Sequence, residues 1–142
     1  MTELISEHIT LHEATHSDTA VKKGLKNIPN AEQLENMKQV AVMCFEPVRK
    51  WYGKPLTINS FFRSPEVNKA VNGSKTSDHL KGNSIDLDAG SRAENLKLFN
   101  WMKSNLIFDQ LIWENDGEWI HVSFRKGGNR NEVKNLTQII PK

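Results

Sequence analysis

Hydrophobic residues recur at helical spacing in the middle of the chain. Between residues 31 and 51 they return every three or four positions and predict one amphipathic helix: Leu34, Met37, Val40, Ala41, Cys44, Phe45 and Val48. Pro47 is expected to kink its last turns. The polar first 30 residues predict only a short helix, from about Thr19 to Leu25. Another helix is predicted over residues 92–105, with four residues on its apolar side: Leu96, Phe99, Trp101 and Met102.

Alternating apolar and polar positions predict strands in the second half of the chain. The segments PLTINSFF (55–62) and SIDLD (84–88) have this pattern, and Ser64-Pro65 between them is typical of a helix start. DQLIW and EWIHVSF flank the turn sequence ENDG, which predicts a β-hairpin. Helices precede most strands without regular alternation. We therefore expect an α+β fold, with a small, mostly antiparallel sheet and helices packed on one side.

Length and composition indicate one domain over residues 1–142. The chain has 37% hydrophobic and 25% charged residues, which is an ordinary balance for a soluble domain. A net charge of +2 is too small to predict nucleic-acid binding. Cys44 is the single cysteine, so an internal disulfide and a cysteine-rich zinc site are excluded. Its apolar neighbours favour a place in the core over a role as nucleophile.

The sequence contains no recognisable targeting signal. The N-terminus, MTELISEHIT, lacks a basic segment followed by an apolar one, so no signal peptide is predicted. No apolar run approaches the roughly 20 residues that span a bilayer. We expect the chain to be made in the cytoplasm, and another component would have to supply any route outside.

The segment HEATH (12–16) fits the pattern H-E-x-x-H, in which two helical histidines bind zinc and the glutamate activates water. Only eleven residues precede His12, too few to build a supporting layer in front of it. Ser17-Asp18-Thr19 follows directly and favours a break with a new helix cap. We therefore favour a capped surface helix over a zinc site here.

A second group of candidate ligands begins in SDHLKGNSIDLD (77–88). His79 lies seven residues before Asp86 in this segment. Strand alternation places Asp86 and Asp88 on one face and directs the intervening side chains into the core. A carboxylate in so apolar a strand is costly unless it meets a cation or strong donors. A metal ion, an arginine or backbone N–H groups would each meet that need.

The predicted strand EWIHVSF adds a third candidate ligand. Alternation places His121 on the same face as Trp119 and Ser123, opposite the apolar residues. Two histidines and an aspartate leave the fourth position of tetrahedral zinc open for water, as in catalytic sites. A carboxylate must accept the proton of that water. Glu118, three residues before His121, is the candidate base, but alternation separates the two unless the strand bulges or twists beside Gly117.

Each of these residues also has a structural interpretation. His79 is consistent with a histidine in a loop, and Asp86 with a carboxylate that accepts structural hydrogen bonds. His121 is consistent with a core histidine whose ring nitrogens are hydrogen-bonded. Glu118 fits a solvated turn residue. Their combination on strands that should be neighbours favours a shared metal site.

These motifs resemble those of peptidase family M15, the zinc D-Ala-D-Ala carboxypeptidases and phage endolysins, which shares its fold with the Hedgehog signalling domain. SDHLKGNSIDLD is similar to the motif S-x-H-x-x-G-x-x-x-D, and EWIH to the element E-W-x-H. INSFFRSPEVNKAVNGS resembles the upstream segment S-x-x-R-S-P-x-x-N, and FDQLIWE resembles the strand before the last motif. The matches run in family order over residues 55–124, and a weaker likeness reaches the N-terminus.

The resemblance implies a role for each matched residue. Three residues would bind Zn²⁺: His79, Asp86 and His121. Glu118 would be the catalytic base. Arg63 would polarise the scissile carbonyl and stabilise its oxyanion, a task suited to a fixed fork of donors, although a salt bridge with Glu66 is the alternative. Ser77 would lie at the rim of the site and orient the substrate or a ligand.

The resemblance also implies a D-Ala-D-Ala carboxypeptidase/Hedgehog-like fold and a zinc peptidase that hydrolyses amide bonds in peptidoglycan stem peptides. The bond would be of the D-Ala-D-Ala carboxypeptidase or L-Ala-D-Glu endopeptidase type. By analogy, a small chain without a signal peptide fits a phage or prophage lysis enzyme that acts on the cell wall after release. We expect a monomer without nucleic-acid or membrane partners.

Two alternatives remain. One is a non-catalytic, zinc-containing binding module of the Hedgehog type, which would need neither Glu118 nor Arg63. The other is an H-E-x-x-H zinc enzyme, in which replacement of His12, and not of His121, would abolish zinc binding.

Overall fold

The computed structural model describes residues 3–136. Its strands are β1 (Leu4–Ser6), β2 (Ile9–Thr10), β3 (Thr57–Ser60), β4 (Ser84–Asp88), β5 (Gln110–Glu114), β6 (Trp119–Ser123) and β7 (Glu132–Asn135). Its α-helices are α1 (Leu11–Thr15), α2 (Asp18–Lys23), α3 (Ala31–Val40), α4 (Glu46–Tyr52), α5 (Pro65–Ala70) and α6 (Arg92–Asn105). A π-helical turn covers Ala41–Phe45, and 3₁₀ turns cover Asp78–Lys81 and Asn115–Gly117.

A five-stranded sheet with the order β3-β4-β6-β5-β7 forms the framework. Neighbouring strands are antiparallel except β7, which runs parallel to β5, and β1 and β2 form a separate antiparallel pair. The predicted α+β fold with a mostly antiparallel sheet is confirmed. Strand β7 was not predicted, because its sequence EVKN is exposed at the edge of the sheet and carries no apolar alternation.

The core lies between one face of this sheet and the helices. Ile85 and Leu87 of β4 pair with Val122 and Ile120 of β6, and all four side chains are fully buried. Helix α3 packs near β4, and α6 packs near β5 and β6. Each such side chain contributes about 1.5–3 kcal/mol by leaving water. The predicted alternation is confirmed, and Asp86 lies on the opposite face.

The helix predicted over residues 31–51 is continuous but contains the π-helical turn. The N–H of Glu46 donates to the carbonyl of Ala41, five residues earlier. Pro47 follows directly, and proline has no N–H and crowds the carbonyl four residues before it. The wider turn accommodates that crowding. The irregularity expected at Pro47 therefore lies on its N-terminal side.

Helix α6 occupies the predicted range, but its buried face differs from the predicted one. Leu98, Phe99 and Met102 are buried, whereas Leu96 is 42% exposed, so the prediction for Leu96 is wrong. A polar residue, Asn95, is fully buried on that face. Apolar spacing alone could not identify a polar side chain that the core accepts.

Asn95 is buried because its amide joins three segments of the chain. Its Oδ1 accepts from the N–H of Ala89 at 2.7 Å, and its Nδ2 donates to Asp88 Oδ1 and to the Gly117 carbonyl, each at 2.9 Å. A buried amide is stable only when such bonds are made. Asn95 thereby ties the end of β4 to the turn between β5 and β6.

The predicted hairpin turns through Asn115, Asp116 and Gly117, which all have positive φ angles (49°, 52° and 86°). A Cβ atom on Gly117 would lie 2.1 Å from the ring of Trp113. Glycine is therefore required both for the backbone conformation and for the close approach of the ring.

The position of Cys44 agrees with the sequence prediction. Cys44 is fully buried, and burial raises the pKa of its thiol to about 12, so it is a core residue and not a nucleophile. Across residues 3–136, no helix is long and apolar enough to span a bilayer.

We predict that Gly117→Ala destabilises the protein by about 2–5 kcal/mol. A left-handed alanine costs about 1–2 kcal/mol, and the overlap with Trp113 adds about 1–3 kcal/mol. Gly128→Ala is the matched control, because Gly128 has a similar φ of +78° but no neighbouring atom within 4 Å of an added Cβ. Urea unfolding of both variants measures the difference. Equal losses for the two variants would mean that contact with Trp113 is unimportant.

Candidate active site

Two histidines and an aspartate converge on the face of the sheet opposite the core. Asp86 on β4 lies directly across from His121 on β6. Asp86 Oδ1 is 2.9 Å from His121 Nδ1, and Asp86 Oδ2 is 3.2 Å from His79 Nε2. One donor atom from each residue lies within 4.8 Å of the other two. The structure thus brings together the three residues predicted to bind metal.

A short 3₁₀ turn delivers His79 to this group from outside the sheet. Ser77 caps the turn by accepting from the N–H of His79, and Gly82 ends it in a left-handed conformation. The His79 side chain is only 3% exposed, and its Nδ1 donates to the carbonyl of Phe61 at 2.7 Å. That hydrogen bond turns the other ring nitrogen, Nε2, toward Asp86.

The charge on Asp86 is stabilised by its two histidine neighbours. Burial alone would raise the pKa of the Asp86 carboxyl, but the positive charge of His79 and hydrogen bonds from His121 and His79 hold that pKa well below its usual range. Burial lowers the pKa of His121, whereas its hydrogen bond to Asp86 raises it above the ordinary value. The group therefore holds an anionic carboxylate between two imidazoles.

The chemistry of these donors fits zinc. Two imidazole nitrogens and one carboxylate oxygen form a three-residue set of the kind found in catalytic zinc sites. Histidines that ligate metals usually donate their second ring nitrogen to a carbonyl or carboxylate, as His79 does to Phe61.

Arg63 lies beside the metal-binding candidates, next to Ser77. Its backbone N–H donates to the carbonyl of His79 at 3.2 Å, and its Nη2 donates to Ser77 Oγ at 3.3 Å. Burial lowers the pKa of the guanidinium, and the negative charge of Asp86 opposes this effect. Its buried Nε has no hydrogen-bond partner in the described part of the chain. Within residues 3–136, Arg63 also does not form the ion pair with Glu66 that was the alternative to a role in the site. Among the described residues, Ser77 is therefore the one side chain that binds the Arg63 guanidinium.

Glu118, the predicted base, lies in the turn before β6. Its backbone is helical (φ −64°, ψ −33°), so the strand alternation is broken there, as the prediction required. The side chain is exposed, however, and its carboxylate accepts a hydrogen bond from Asn115 Nδ2. Within residues 3–136 no hydrogen bond or ion pair joins Glu118 to the three candidate ligands.

A different carboxylate, Glu114, shares the face of the sheet that carries the candidate ligands. Ile112 on β5 is paired with His121, so Glu114, two residues further on, projects from the same face. Burial is the largest effect on the Glu114 carboxyl and raises its pKa. The charges of His121 and His79 lower that pKa and the charge of Asp86 raises it, and the net change is an increase. No role was predicted for Glu114, although counting alternation back from His121 across the hairpin would have found it.

HEATH forms the short helix α1 with its flanking cap, as the sequence predicted. Glu13 accepts from the N–H of Thr10 in a capping box, and Ser17 caps the next helix, α2. His16 Nε2 lies 3.0 Å from Asp18 Oδ1. Among the described residues, no group of three metal-binding side chains includes His12. The glutamate of this motif therefore acts as a helix cap.

A groove of about 710 Å³ lies outside the three-residue group, and none of the metal-binding candidates lines it. Arg63 lines it, together with the edge strand β3 and with His12, Glu13 and His16 of the HEATH segment. The HEATH segment is thus a wall of this groove and lies outside the three-residue group.

One other cluster of potential ligands occurs among the described residues: Glu7, His8 and Glu46. The Glu46 carboxylate already accepts hydrogen bonds from Ser6 Oγ and from the backbone N–H of His8, and His8 Nδ1 lies 2.6 Å from it. These contacts account for the cluster as a structural link between the N-terminal hairpin and α4.

The sequence model of a family described as Peptidase M15 matches residues 7–123, which is most of the chain and includes all three candidate ligands. A comparison with curated proteins gave no significant match. The matched segment ends at the last residue of β6, the strand that carries His121. The fold, the spacing of the motifs and this match agree, and the chain belongs to peptidase family M15.

Proposed function

We propose that the protein is a zinc metallopeptidase that hydrolyses amide bonds in peptidoglycan stem peptides. The convergence of His79, Asp86 and His121, in a chain that belongs to a family of generally zinc-dependent peptidases, is the observation that carries the proposal. An alternative, a zinc-containing module without catalysis, is less well supported, because such a module needs neither Arg63 nor a nearby carboxylate.

Three residues would hold the metal: His79 through Nε2, His121 through Nδ1, and Asp86 through its carboxylate. When bound, zinc supplies two effects, a lower pKa for a water molecule and polarisation of the substrate carbonyl. The hydrogen bond to the carbonyl of Phe61 turns Nε2 of His79 toward Asp86. A glutamate then has to take the proton from the attacking water. Glu118 is the residue predicted from the sequence, and Glu114 is the other candidate.

Arg63 would bind and orient the substrate carbonyl. Ser77 holds one end of the guanidinium at Nη2, and Arg63 lines the groove in which we place the substrate. Negative charge develops on the carbonyl oxygen during the reaction, and a fixed donor at that position stabilises it. Ser77 therefore contributes by fixing the orientation of Arg63.

The groove along β3 suits a short, extended peptide. Strand β3 is at the edge of the sheet, and its residues Thr57–Ser60 line the groove together with Arg63. An extended peptide can bind to such an edge through its main chain, with its side chains alternately in and out of the groove. A stem peptide bound there would reach Arg63, and we propose this path for the substrate.

We further propose that the protein acts on the cell wall, as a monomer, in phage- or prophage-mediated lysis. The proposal follows from the resemblance of the motifs to those of lysis enzymes. Neither nucleic acid nor membrane is needed as a partner in this function.

We predict about one zinc ion per chain in the purified protein, as measured by elemental mass spectrometry. His121→Ala should abolish zinc binding because it removes a ligand, whereas His12→Ala should retain it. These two variants make the same change in different motifs. Loss of zinc from His12→Ala alone would identify HEATH as the metal site, and absence of zinc from the wild type would exclude the proposal.

We predict that the zinc-loaded protein releases peptide fragments from purified sacculi. Mass spectrometry of the fragments identifies the bond, which we expect to be D-Ala-D-Ala or L-Ala-D-Glu. A chelator should stop the release and added zinc should restore it, because the proposed metal is required for chemistry. A protein that contains zinc but leaves sacculi and soluble stem peptides intact would favour the non-catalytic module.

We predict that Arg63→Lys lowers kcat about 100-fold or more, since loss of one oxyanion donor costs roughly 10²–10³ in kcat. Lysine keeps the charge but lacks the planar fork that reaches Ser77 and the substrate together. Zinc content should not change, because Arg63 is not a ligand. Steady-state kinetics on the cleaved stem peptide measure the loss. A rise in KM with unchanged kcat would limit Arg63 to substrate binding.

A further inference from the structure

We propose that Glu114, and not Glu118, is the catalytic base that accepts the proton of the attacking water. This inference rests on the proposed peptidase function and names the residue that performs one of its steps. A base must lie within hydrogen-bond reach of the reacting water, so position decides between the two glutamates before any other property.

The sheet register places Glu114 in the site. Asp86 on β4 is opposite His121 on β6, and His121 is opposite Ile112 on β5. Glu114 follows Ile112 by two residues and therefore points to the same side of the sheet. Its diagonal relation to His121 brings a long side chain within reach of that histidine. Asp86, His121 and Glu114 thus project from one face of three adjacent strands.

The surroundings of Glu114 are those of a functional carboxylate. Its side chain is half-buried, and no described residue donates a hydrogen bond or forms an ion pair with its carboxylate. Withdrawing a carboxylate from water without a partner is costly, and such groups are concentrated at functional sites. The charges that act on it are those of His121, Asp86 and His79, the three candidate ligands. Glu114 is therefore beside the metal-binding group and uncommitted to any structural contact.

Glu118 differs from Glu114 in each of these respects. Its side chain is exposed, and its carboxylate is already bound by Asn115 Nδ2. The turn that carries it is held by Arg92, which donates to the Asp116 carbonyl at 3.1 Å and to Asp116 Oδ1 at 3.3 Å. Glu118 would have to break its bond to Asn115 before it could serve as a base.

The proton transfers balance with Glu114 in this role. The water oxygen bonds to the carbonyl carbon while one water proton moves to a carboxylate oxygen of Glu114. That proton then passes to the amide nitrogen as the carbon–nitrogen bond breaks, and Glu114 returns to its ionised form. The second water proton stays on the new carboxyl group until that group ionises. No oxidant, reductant or further reactant is needed.

The test compares Glu114→Gln with Glu118→Gln on the stem peptide that the wild type cleaves. Glutamine keeps the shape of glutamate but cannot accept the proton, so Glu114→Gln should lower kcat at least about 100-fold. Its zinc content and its affinity for the uncleaved peptide, measured by calorimetry, should match the wild type. Glu118→Gln should lose much less activity. Glu35→Gln, on the exposed surface of α3, is the control for the substitution itself and should behave as the wild type.

A second variant tests whether a loss of activity in Glu114→Gln comes from a folding defect. Glu114→Asp keeps the negative charge but withdraws the carboxylate by one methylene group, so kcat should again fall while the zinc content stays the same. The melting temperatures of all variants show whether each is folded. Wild-type kcat in both Glu114 variants would overturn the proposal.

Other outcomes separate this inference from the proposed function. If Glu118→Gln loses activity and Glu114→Gln keeps it, Glu118 is the base and the peptidase function stands. If Glu114→Gln loses zinc, Glu114 is a metal ligand and the inference is wrong. If the zinc-loaded wild type cleaves no stem peptide, the proposed function fails and the inference fails with it.

Discussion

The pairing of Asp86 with His121 across strands β4 and β6 is the constraint on which the rest of the site depends. The same register buries Ile85 against Val122 on the opposite face of the sheet. A shift of one residue would turn the polar pair into the core and expose the apolar one. The hydrophobic burial that stabilises the sheet therefore also holds the two side chains together. Their alignment needs no metal, because the core already determines it.

His79 and Arg63 come from segments outside the sheet, where hydrogen bonds to backbone carbonyls replace strand pairing. The Phe61 carbonyl accepts from the His79 ring, and the His79 carbonyl accepts from the Arg63 N–H. These two bonds join the segment after β3 to the 3₁₀ turn. Each contributes only about 0.5–1.5 kcal/mol to stability, so their importance is in fixing geometry. A metal site needs that fixed geometry more than it needs a strong individual contact.

Local patterns predicted the parts of the fold that depend on local physics. The faces of β4, the caps Ser17 and Ser64, and the range of α6 follow from alternation, side-chain hydrogen bonds and helical spacing. Features that depend on distant partners were not predicted. Asn95 is buried only because Ala89, Asp88 and Gly117 make hydrogen bonds with its amide. Strand β7 forms because the edge of β5 is free to pair with it. Nothing in the residues themselves indicates those partners.

The candidate site shows the same division. His79, Asp86 and His121 were identified because each lies in a recognisable motif, and the sheet then brings these motifs together. The choice of Glu118 rested on its position three residues before His121 and on the resemblance of EWIH to the element E-W-x-H. In the folded protein Glu118 lies at the end of the turn, before β6 begins, and its side chain is hydrogen-bonded to Asn115. Glu114 is seven residues from His121 in sequence but lies on the adjacent strand, on the same face. Across a hairpin, strand pairing brings residues together that the sequence separates, and spacing along the chain alone therefore did not point to Glu114.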